Sequence, residues 1–353
     1  MSFTFAPLER CYSEKLDKWF GKKDCERCYS EKLDKWFGKK DCLYEFNPGK
    51  FVMPLEYSLM AQDILDSEVR PDDVWLISFS RTGSTWCQEI IWLIANNLDF
   101  GKSTSTIQQL RAPLLEGSIY FADNPEYCQH VGGNSVEYVK GLPSPRFIKS
   151  HIPYDQLPRK LHTVKPKIIY MARNPKDVCR SYHPHMQMFY GMNVGFEESA
   201  KMFCEGKMPL GDVLDHSLEF WKRREEPHIL FLKYEDLRSD TKGIIRRIAA
   251  FLAKPLTDED VNNIYDFLTL TKMKDNPSVN METFTAFHEK NGRQNGGVPF
   301  IGNGKIGAWK EQMTPAISKM EKRKTERRGS VYREWQNWSV ERTDDTGNFE
   351  NVR

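Results

Sequence analysis

The chain of 353 residues carries 51 lysines and arginines against 49 aspartates and glutamates, which leaves a formal net charge of +2. Such a balance provides no general attraction to nucleic acid or to an anionic membrane, so we expect a small partner bound by locally placed charges. The N-terminus has no apolar signal region, and the longest aliphatic or aromatic run, Ile90 to Ala95, is too short to cross a bilayer. These features predict a cytoplasmic protein that binds neither nucleic acid nor membrane.

Residues 1–45 form an N-terminal segment that contains an identical tandem repeat. Residues 9–25 (ERCYSEKLDKWFGKKDC) recur without change as residues 26–42. Two copies are too few for a solenoid, so a recent duplication or an assembly error explains them better than a structural repeat. The repeat places Cys11, Cys25, Cys28 and Cys42 in an order that zinc sites also show, but the charged, helix-like surroundings lack the turn residues of zinc knuckles. We expect a peripheral amphipathic helix without a metal.

From Val74 onward, short β-rich runs alternate with helical stretches, as in a parallel sheet flanked by helices. We therefore predict a single α/β domain with a central parallel sheet over residues 46–320. Its strands are expected at Val74–Phe79, Arg146–Lys149, Ile168–Ala172 and Ile229–Lys233. The helices between them should begin near Ser84, Pro175, Asp212 and Ser239.

One helix contains a proline, and the C-terminal residues do not follow the α/β pattern. Pro184 lies inside the second of these helices and should kink it or end it early, because proline lacks a backbone donor and its ring clashes with the preceding turn. Residues 321–353 are charged and polar with few aliphatic side chains, so they lack the apolar surface that offsets the entropy of ordering. We expect a disordered tail there.

The first predicted strand leads into a turn that is suited to bind an anion. Residues 74–86 read VWLISFSRTGSTW: a buried strand, a turn from Arg81 to Thr85, and the start of an apolar-periodic helix. The free N–H groups and the positive dipole end of a helix favour an anion, and Gly83 lets the backbone approach it. An ordinary strand-to-helix turn capped by serine or threonine has the same local sequence. The segment lacks the glycine and lysine of a Walker A loop, which disfavours a nucleotide kinase.

Three later segments follow this phosphate loop in order: FIKSHIP at 147–153, IIYMARNPKDVCRSY at 168–182 and ILFLKYEDL at 229–237. Together with the loop, they resemble the cytosolic sulfotransferase family in the style of its insect members, near the retinol dehydratase branch. The resemblance extends from about Val74 to Thr314. It implies 3'-phosphoadenosine-5'-phosphosulfate (PAPS) as co-substrate, a small, apolar, hydroxylated acceptor, and no metal.

The resemblance implies that the phosphate loop holds the 5'-phosphosulfate of PAPS. The residues that would do so are Thr82, Gly83, Ser84 and Thr85. Arg81, where a lysine is commoner in the family, would touch the leaving group. Arginine keeps the charge but replaces a compact ammonium by a planar fork, so the rate is expected to differ.

The chemistry is implied to lie in the FIKSHIP segment. His151 matches the catalytic base of the family, and an imidazole that titrates near neutrality can accept a proton as an alcohol attacks sulfur. Lys149, two residues earlier on a strand, would project to the same face and stabilise charge in the transition state. A structural role for His151 is the alternative.

The remaining matches concern the adenosine part of the cofactor. Arg173 and Ser181 match the residues that hold the 3'-phosphate, the group that distinguishes PAPS from ATP. An ion pair and a helix-surface hydroxyl are the alternative roles for them. Trp86 and Tyr234 match positions around adenine, although either could serve only as a core aromatic.

The sequence departs from the family near its C-terminus. The family closes the 3'-phosphate site with an Arg-Lys-Gly run, but Gly302 and Asn303 stand in place of the two cations, and only Gly304 of the run is kept. Loss of charge-assisted bonds to a phosphate costs roughly 1.5–3 kcal/mol each, so the affinity for PAPS should fall unless Lys305 substitutes.

The short dimer motif of the family is altered as well. Lys310 and Thr314 are kept, whereas Pro315 and Lys319 replace a valine and a glutamate. A like charge therefore replaces one half of an ion pair, and a homodimer by this route becomes doubtful. Exposed pairs of this kind contribute only ~0–1 kcal/mol each.

The sequence thus predicts a sulfotransferase that moves a sulfuryl group from PAPS to the hydroxyl of a small apolar acceptor. Two alternatives stay open. The same residues would serve a PAPS-dependent dehydratase of an allylic alcohol such as retinol, in which sulfate is lost after the transfer. A binding protein that keeps the fold but has impaired catalysis would also fit the missing Arg-Lys pair.

Overall fold

A computed structural model of the chain describes residues 4–7, 43–121, 124–290 and 298–319. The duplicated segment and the polar tail, for which the sequence predicts a peripheral helix and disorder, lie outside the described residues. The described part contains a small antiparallel sheet and a larger parallel sheet.

The small sheet pairs the start of the chain with the residues that follow the duplication. Its antiparallel strands, in spatial order, are β1 (Thr4–Pro7), β2 (Tyr44–Asn47) and β3 (Phe51–Met53). Phe46 and Phe51 pack edge-on against the buried ring of Tyr57, with centroids 4.9 and 5.1 Å away, which anchors the sheet in the main core. The sequence predicted only a helix for residues 1–45, because runs of three or four residues are too short to show alternation.

The central sheet consists of four parallel strands in the order β5-β4-β6-β7. They are β4 (Val74–Ser78), β5 (Phe147–Ser150), β6 (Lys167–Ala172) and β7 (Ile229–Lys233). The four predicted strands are confirmed, and no boundary differs by more than one residue. Alternate residues of β4 enter two separate apolar clusters, Trp75 and Ile77 in one, Val74 and Leu76 in the other. The sheet is therefore buried on both faces, as a parallel sheet requires.

Helices cover both faces of this sheet, with α2 and α13 in one apolar cluster and α9 and α11 in the other. In chain order the α-helices are α1 (Ala61–Leu65), α2 (Ser84–Ala95), α3 (Phe100–Ser105), α4 (Gln108–Arg111), α5 (Gly117–Phe121), α6 (Pro125–Val131), α7 (Ser135–Gly141), α8 (Leu161–Val164), α9 (Pro175–Tyr190), α10 (Phe196–Glu205), α11 (Val213–Trp221), α12 (Tyr234–Ser239), α13 (Thr241–Leu252), α14 (Asp258–Phe267), α15 (Leu270–Asp275) and α16 (Glu282–Lys290). Short 3-10 helices span Leu55–Leu59, Tyr154–Gln156 and Ala308–Glu311. The predicted single α/β domain is confirmed.

The predicted helix starts agree with the structure to within two residues. Helices begin at Ser84 and Pro175, and Asp212 caps α11 by accepting a hydrogen bond from the Leu214 N–H. The helix expected near Ser239 begins at Thr241, because a separate short helix, α12, already starts at Tyr234.

Pro184 does not end α9, so that part of the prediction is wrong. The helix continues through the proline to Tyr190. Met186 and Phe189, which follow the proline, are buried in the core, and their burial favours a continuous helix despite the lost backbone hydrogen bond.

All four parallel strands end at the same edge of the sheet. The residues that follow them are the loop 79–83 after β4, His151 after β5, Arg173 after β6 and Tyr234 after β7. The parallel topology therefore gathers four distant parts of the sequence at one edge, where α/β proteins bind their ligands.

Candidate active site

The loop between β4 and α2 brings the chain to a helix N-terminus at this edge. Gly83, the N-cap of α2, has φ +92°, and a Cβ on it would lie 2.4 Å from the ring of Tyr234. The left-handed backbone and the close approach of Tyr234 both require glycine here. The Trp86 N–H donates to the Gly83 carbonyl at 3.1 Å, whereas the N–H groups of Ser84 and Thr85 have no acceptor among the described residues and remain available to an anion.

The predicted site residues converge on one cavity of about 660 Å³. Those on its wall are Arg81, Gly83, Ser84, Thr85, Trp86, Lys149, His151, Arg173, Ser181, Tyr234 and Gly304. Thr82 is the exception, because its side chain is 1% exposed and its hydroxyl donates to the Phe79 carbonyl at 2.8 Å. The hydroxyl of Thr82 thus stabilises the loop, whereas the sequence predicts that Thr82 contributes to phosphosulfate binding.

His151 is held as a neutral imidazole. Its Nδ1 lies 2.7 Å from the carbonyl oxygen of Ser78 and 3.2 Å from the Ser78 hydroxyl. Because a carbonyl can only accept, Nδ1 carries the hydrogen and Nε2 is left with its lone pair. Burial, together with the charge of Lys149, lowers the pKa of His151 well below its usual value. The ring is therefore able to accept a proton.

A buried carboxyl group, Glu116, supports this histidine from behind. Glu116 accepts hydrogen bonds from the backbone N–H of His151 at 2.6 Å and from the Ser150 hydroxyl at 3.0 Å. Burial raises the pKa of Glu116 to about 7 and lowers the pKa of Lys149 to about 8, although each group favours the charged form of the other. Glu116 was not predicted from the sequence, because nothing in its local sequence marks it as a partner of the distant β5.

Arg81 lies across the cavity with its guanidinium fixed at two points. Its Nε donates to the Ser181 hydroxyl at 3.0 Å, and its Nη2 donates to the Phe300 carbonyl at 2.9 Å. The guanidinium also lies over the Phe300 ring, 5.1 Å from the centroid. Burial and the charge of Arg173 lower the pKa of Arg81 to about 10, so it remains a cation at neutral pH.

Arg173 lies beside the phosphate loop, next to the ring of Tyr234. Its Nη1 donates to the Arg81 carbonyl at 3.1 Å, and its guanidinium lies 4.3 Å from the centroid of the Tyr234 ring. Its Nε is buried without a hydrogen-bond partner among the described residues.

Trp86 also has a buried N–H, that of its indole ring, without a partner among the described residues. The guanidinium of Arg238 lies 5.6 Å from the centroid of the Trp86 ring.

Gly304, the conserved end of the altered run, closes the same region. It has φ +69°, and a Cβ on it would lie 2.3 Å from a methyl group of Leu270 and 3.1 Å from the Tyr234 hydroxyl. Arg238 donates to its carbonyl at 3.1 Å. Lys305 also lines the cavity, but its ammonium group is paired with Glu311.

Part of the cavity wall is aromatic. Tyr120, Phe121, Phe189 and Phe300 line it, and the Phe189 centroid lies 6.0 Å from that of Phe121 and 6.4 Å from that of Phe300. Apolar surface of this kind is suited to a largely apolar molecule.

A second polar pair lies in the cavity wall and was not anticipated from the sequence. The Nε2 of His185 is 3.2 Å from the Ser80 hydroxyl, and both residues line the cavity. Burial, with the nearby charge of Arg81, lowers the pKa of His185 well below its usual value. The sequence signal was weak, because His185 lies in a helical stretch of mixed aromatic, methionine and histidine residues.

The residues at the phosphate-loop end fit a phosphorylated nucleotide. Arg81, Arg173 and Arg180 line the wall, and the Nε atoms of Arg173 and Arg180 are buried donors without partners among the described residues. Donors of this kind at a cationic wall fit the oxygen atoms of phosphate groups. Within the described ranges, no group of three or more His, Cys, Asp or Glu side chains is arranged to hold a metal. The four cysteines of the proposed zinc spacing lie outside those ranges.

The fold and the site define an α/β protein whose cavity, at the carboxyl edge of its sheet and beside a neutral histidine, fits a phosphorylated nucleotide. Comparison with known proteins specifies the class. Residues 71–329 match the sulfotransferase domain, and the chain belongs to that family.

Individual relatives agree with this assignment. The chain is 35% identical to luciferin sulfotransferase of Photinus pyralis over 240 residues, which are 65% of this chain and 64% of that protein. It is 32% identical to sulfotransferase 1B1 of Mus musculus over 270 residues, which are 75% of this chain and 85% of that protein. A solved structure of retinol dehydratase in complex with androsterone and the inactive cofactor PAP superposes with a TM-score of 0.77 at 27% identity, covering 93% of this chain and 96% of that one. The predicted resemblance to the cytosolic sulfotransferases, including insect members, is confirmed.

Proposed function

We propose that the protein transfers the sulfuryl group of PAPS to the hydroxyl of a small, largely apolar acceptor. The observation that carries the proposal is His151, which lines the cavity as a neutral imidazole whose Nδ1 hydrogen is committed to Ser78. Its lone pair at Nε2 is thus available as a base for an alcohol. The family membership and the arginines at the phosphate-loop end support PAPS as the second substrate.

Residues of the phosphate-loop end would hold the cofactor. The first-turn N–H groups of α2 and the hydroxyls of Ser84 and Thr85 suit the 5'-phosphosulfate. Arg173 and Ser181 suit the 3'-phosphate, while Trp86 and Tyr234 provide aromatic faces for adenine. When bound, PAPS supplies the activated sulfuryl group.

The chain supplies the acid–base and electrostatic parts of the reaction. His151 takes the proton of the acceptor hydroxyl at Nε2, and its hydrogen bond to Ser78 keeps the ring oriented as the proton arrives. Lys149 and Arg81 provide positive charge on the same wall, where burial strengthens its effect on an anionic transition state. No metal is needed for these steps.

The aromatic part of the cavity wall supports an apolar acceptor. The retinol dehydratase structures that superpose on this chain contain androsterone or retinol, each with PAP. We infer that this chain takes an acceptor of similar apolar character, held against Phe121, Phe189 and Phe300.

Dehydration is a second candidate, favoured by the structural similarity to retinol dehydratase. The same base and cofactor residues serve both outcomes, so the acceptor decides between them. With sulfur-35 PAPS, a sulfotransferase leaves the label in the organic product, whereas a dehydratase releases it as sulfate.

The cellular setting of the protein is also a proposal. The sequence predicts a cytoplasmic location, and no helix within the described residues is long and apolar enough to cross a membrane. A homodimer remains a prediction weakened by the altered residues Pro315 and Lys319.

The proposal is tested with sulfur-35 PAPS, a panel of hydroxylated apolar acceptors and the variant His151→Ala. Loss of the base should lower the transfer rate about 10²- to 10⁴-fold, while binding of adenosine 3',5'-bisphosphate (PAP) is kept. His228→Ala, which removes a histidine near the opposite end of β7, is the matched control and should leave the rate unchanged. Undiminished transfer by the His151 variant would contradict the proposal.

A further inference from the structure

Arg180 is a cavity residue that the family pattern does not explain. It lies on α9 directly before Ser181, and its side chain lines the cavity at the phosphate-loop end. Its Nε is buried and has no hydrogen-bond partner among the described residues. A buried guanidinium N–H without a partner is costly in a folded protein, unless a ligand satisfies it.

The surroundings of Arg180 place it beside the altered run. Glu311, which follows the altered run, has a pKa below its usual range. The main cause is the hydrogen bond and charge of Lys305, and the charge of Arg180 adds to it, which indicates that Arg180 lies near this part of the chain. From the other side, the Nη2 of Arg173 donates to the Lys305 carbonyl at 3.4 Å. Arg173 and Arg180, whose Nε atoms have no partner among the described residues, line the same cavity as Gly302 and Asn303, which replace the two family cations.

Lys305 is the less suitable replacement for those cations. Its ammonium group forms an ion pair with Glu311, and its side chain is 55% exposed. Arg180 differs in both respects: it forms no ion pair with a described residue, although its charge acts on Glu311, and its Nε is buried.

We propose that Arg180 binds the 3'-phosphate of the nucleotide and substitutes for the cations missing at Gly302 and Asn303. The inference rests on the proposed function and refines its 3'-phosphate site. A guanidinium suits this task because its planar fork can donate two parallel hydrogen bonds to phosphate oxygens. The sequence alone could not show this, since the replacement comes from α9, far from the altered run.

The test is calorimetric titration of the full chain with PAP and with 5'-AMP, which lacks the 3'-phosphate. Arg180→Ala should weaken PAP binding about 10- to 100-fold and leave 5'-AMP binding unchanged. Arg180→Lys, which keeps the charge but not the fork, should lie between that variant and the wild type. Arg180→Met, which keeps the apolar stem of the side chain, should match Arg180→Ala, and thermal unfolding verifies that each variant is folded.

Arg247→Ala is the matched control, because it removes an exposed arginine on α13 that does not line the cavity. If the wild type binds PAP no more tightly than 5'-AMP, the proposed function itself fails. If the wild type prefers PAP and the folded Arg180 variants keep the full preference, Arg180 has no such role, and the proposed function stands.

Discussion

Burial has opposite consequences for three neighbouring side chains of the catalytic wall. It lowers the pKa of His151 and Lys149 and raises that of Glu116, because a low-dielectric environment disfavours whichever form is charged. His151 is therefore neutral and able to accept a proton at physiological pH. Lys149, with a pKa of about 8, still carries its charge there.

Gly83 is the residue of the phosphate loop most sensitive to substitution. Gly83→Ala introduces a Cβ that would lie 2.4 Å from the Tyr234 ring, on a backbone with φ +92°. We expect a loss of about 1–3 kcal/mol in unfolding free energy from the backbone strain and at least a tenfold loss in PAP affinity from displacement of Tyr234. Thermal unfolding and titration with PAP measure the two effects.

Gly101→Ala is the corresponding control. Gly101 lies in α3, and a Cβ on it would make only an ordinary contact at 3.6 Å with Asp99. This variant should keep full PAP affinity and be as stable as the wild type or more so, because alanine favours a helix. Equal behaviour of the two variants would show that the loop geometry at Gly83 is unimportant.

At the scale of elements, the two ends of the central sheet have different tasks. The carboxyl ends of the strands carry the site, whereas the amino ends carry a buried ion pair. The Arg146 guanidinium, just before β5, donates to both carboxylate oxygens of Asp73, just before β4, at 2.8 and 2.6 Å. Both side chains are almost completely buried. The pair holds two neighbouring strands in register on the side away from the chemistry.

Asp73→Ala should therefore affect stability and leave binding intact. Removal of Asp73 leaves the buried guanidinium with only the half-exposed Glu68 carboxylate, 3.6 Å away, as an ionic partner, so the loss in unfolding free energy should approach the ~3–5 kcal/mol of a broken buried pair. Denaturant unfolding measures this loss, and PAP affinity below the unfolding temperature should stay within about twofold. Arg159→Ala, which breaks the half-exposed pair with Asp66, should change stability by less than about 1 kcal/mol. A similar small effect of Asp73→Ala would contradict the assignment.

The same elements show how far the sequence was informative. The strands of the parallel sheet and the cavity residues next to them were predicted, because buried strands and strand-end motifs leave continuous local signals. The small sheet was not predicted, since β3 has only three residues. Glu116 and the Asp73–Arg146 pair were missed because their partners are distant in sequence and only the fold brings them together.

For the whole molecule, the buried histidines couple folding to pH. Burial lowers the pKa of His151, His185 and His216, the last to about 4. These histidines therefore stay neutral in the folded chain at pH values below ~6.5, where they are protonated in the unfolded chain. Their contribution to stability is present above that pH and is lost as the pH falls. Glu116 has the opposite effect. Between its ordinary pKa and about 7 it is protonated in the folded chain and ionised in the unfolded chain, so its contribution to stability increases as the pH falls.

We therefore expect the unfolding free energy to fall as the pH is lowered from 6.5 to 5. The described histidines with a lowered pKa outnumber the two buried carboxyl groups with a raised pKa, Glu116 and Glu235, and each net proton contributes about 1.4 kcal/mol per pH unit. Urea unfolding across this range gives the slope. Glu116→Gln keeps a hydrogen-bond acceptor for His151 but does not ionise, so it should make the slope steeper. A flat profile in the wild type would count against burial of these histidines.

The position of Leu270 beside Gly304 limits which substitutions residue 304 can accept over generations. A Cβ at Gly304 meets a Leu270 methyl group at 2.3 Å, whereas a Cβ at Gly302 meets nothing within 4 Å. Position 302 is therefore sterically open, while a side chain at position 304 would have to displace Leu270 on a backbone with φ +69°, which favours glycine. Sterics and backbone geometry thus restrict substitution at position 304 independently of any selection on activity.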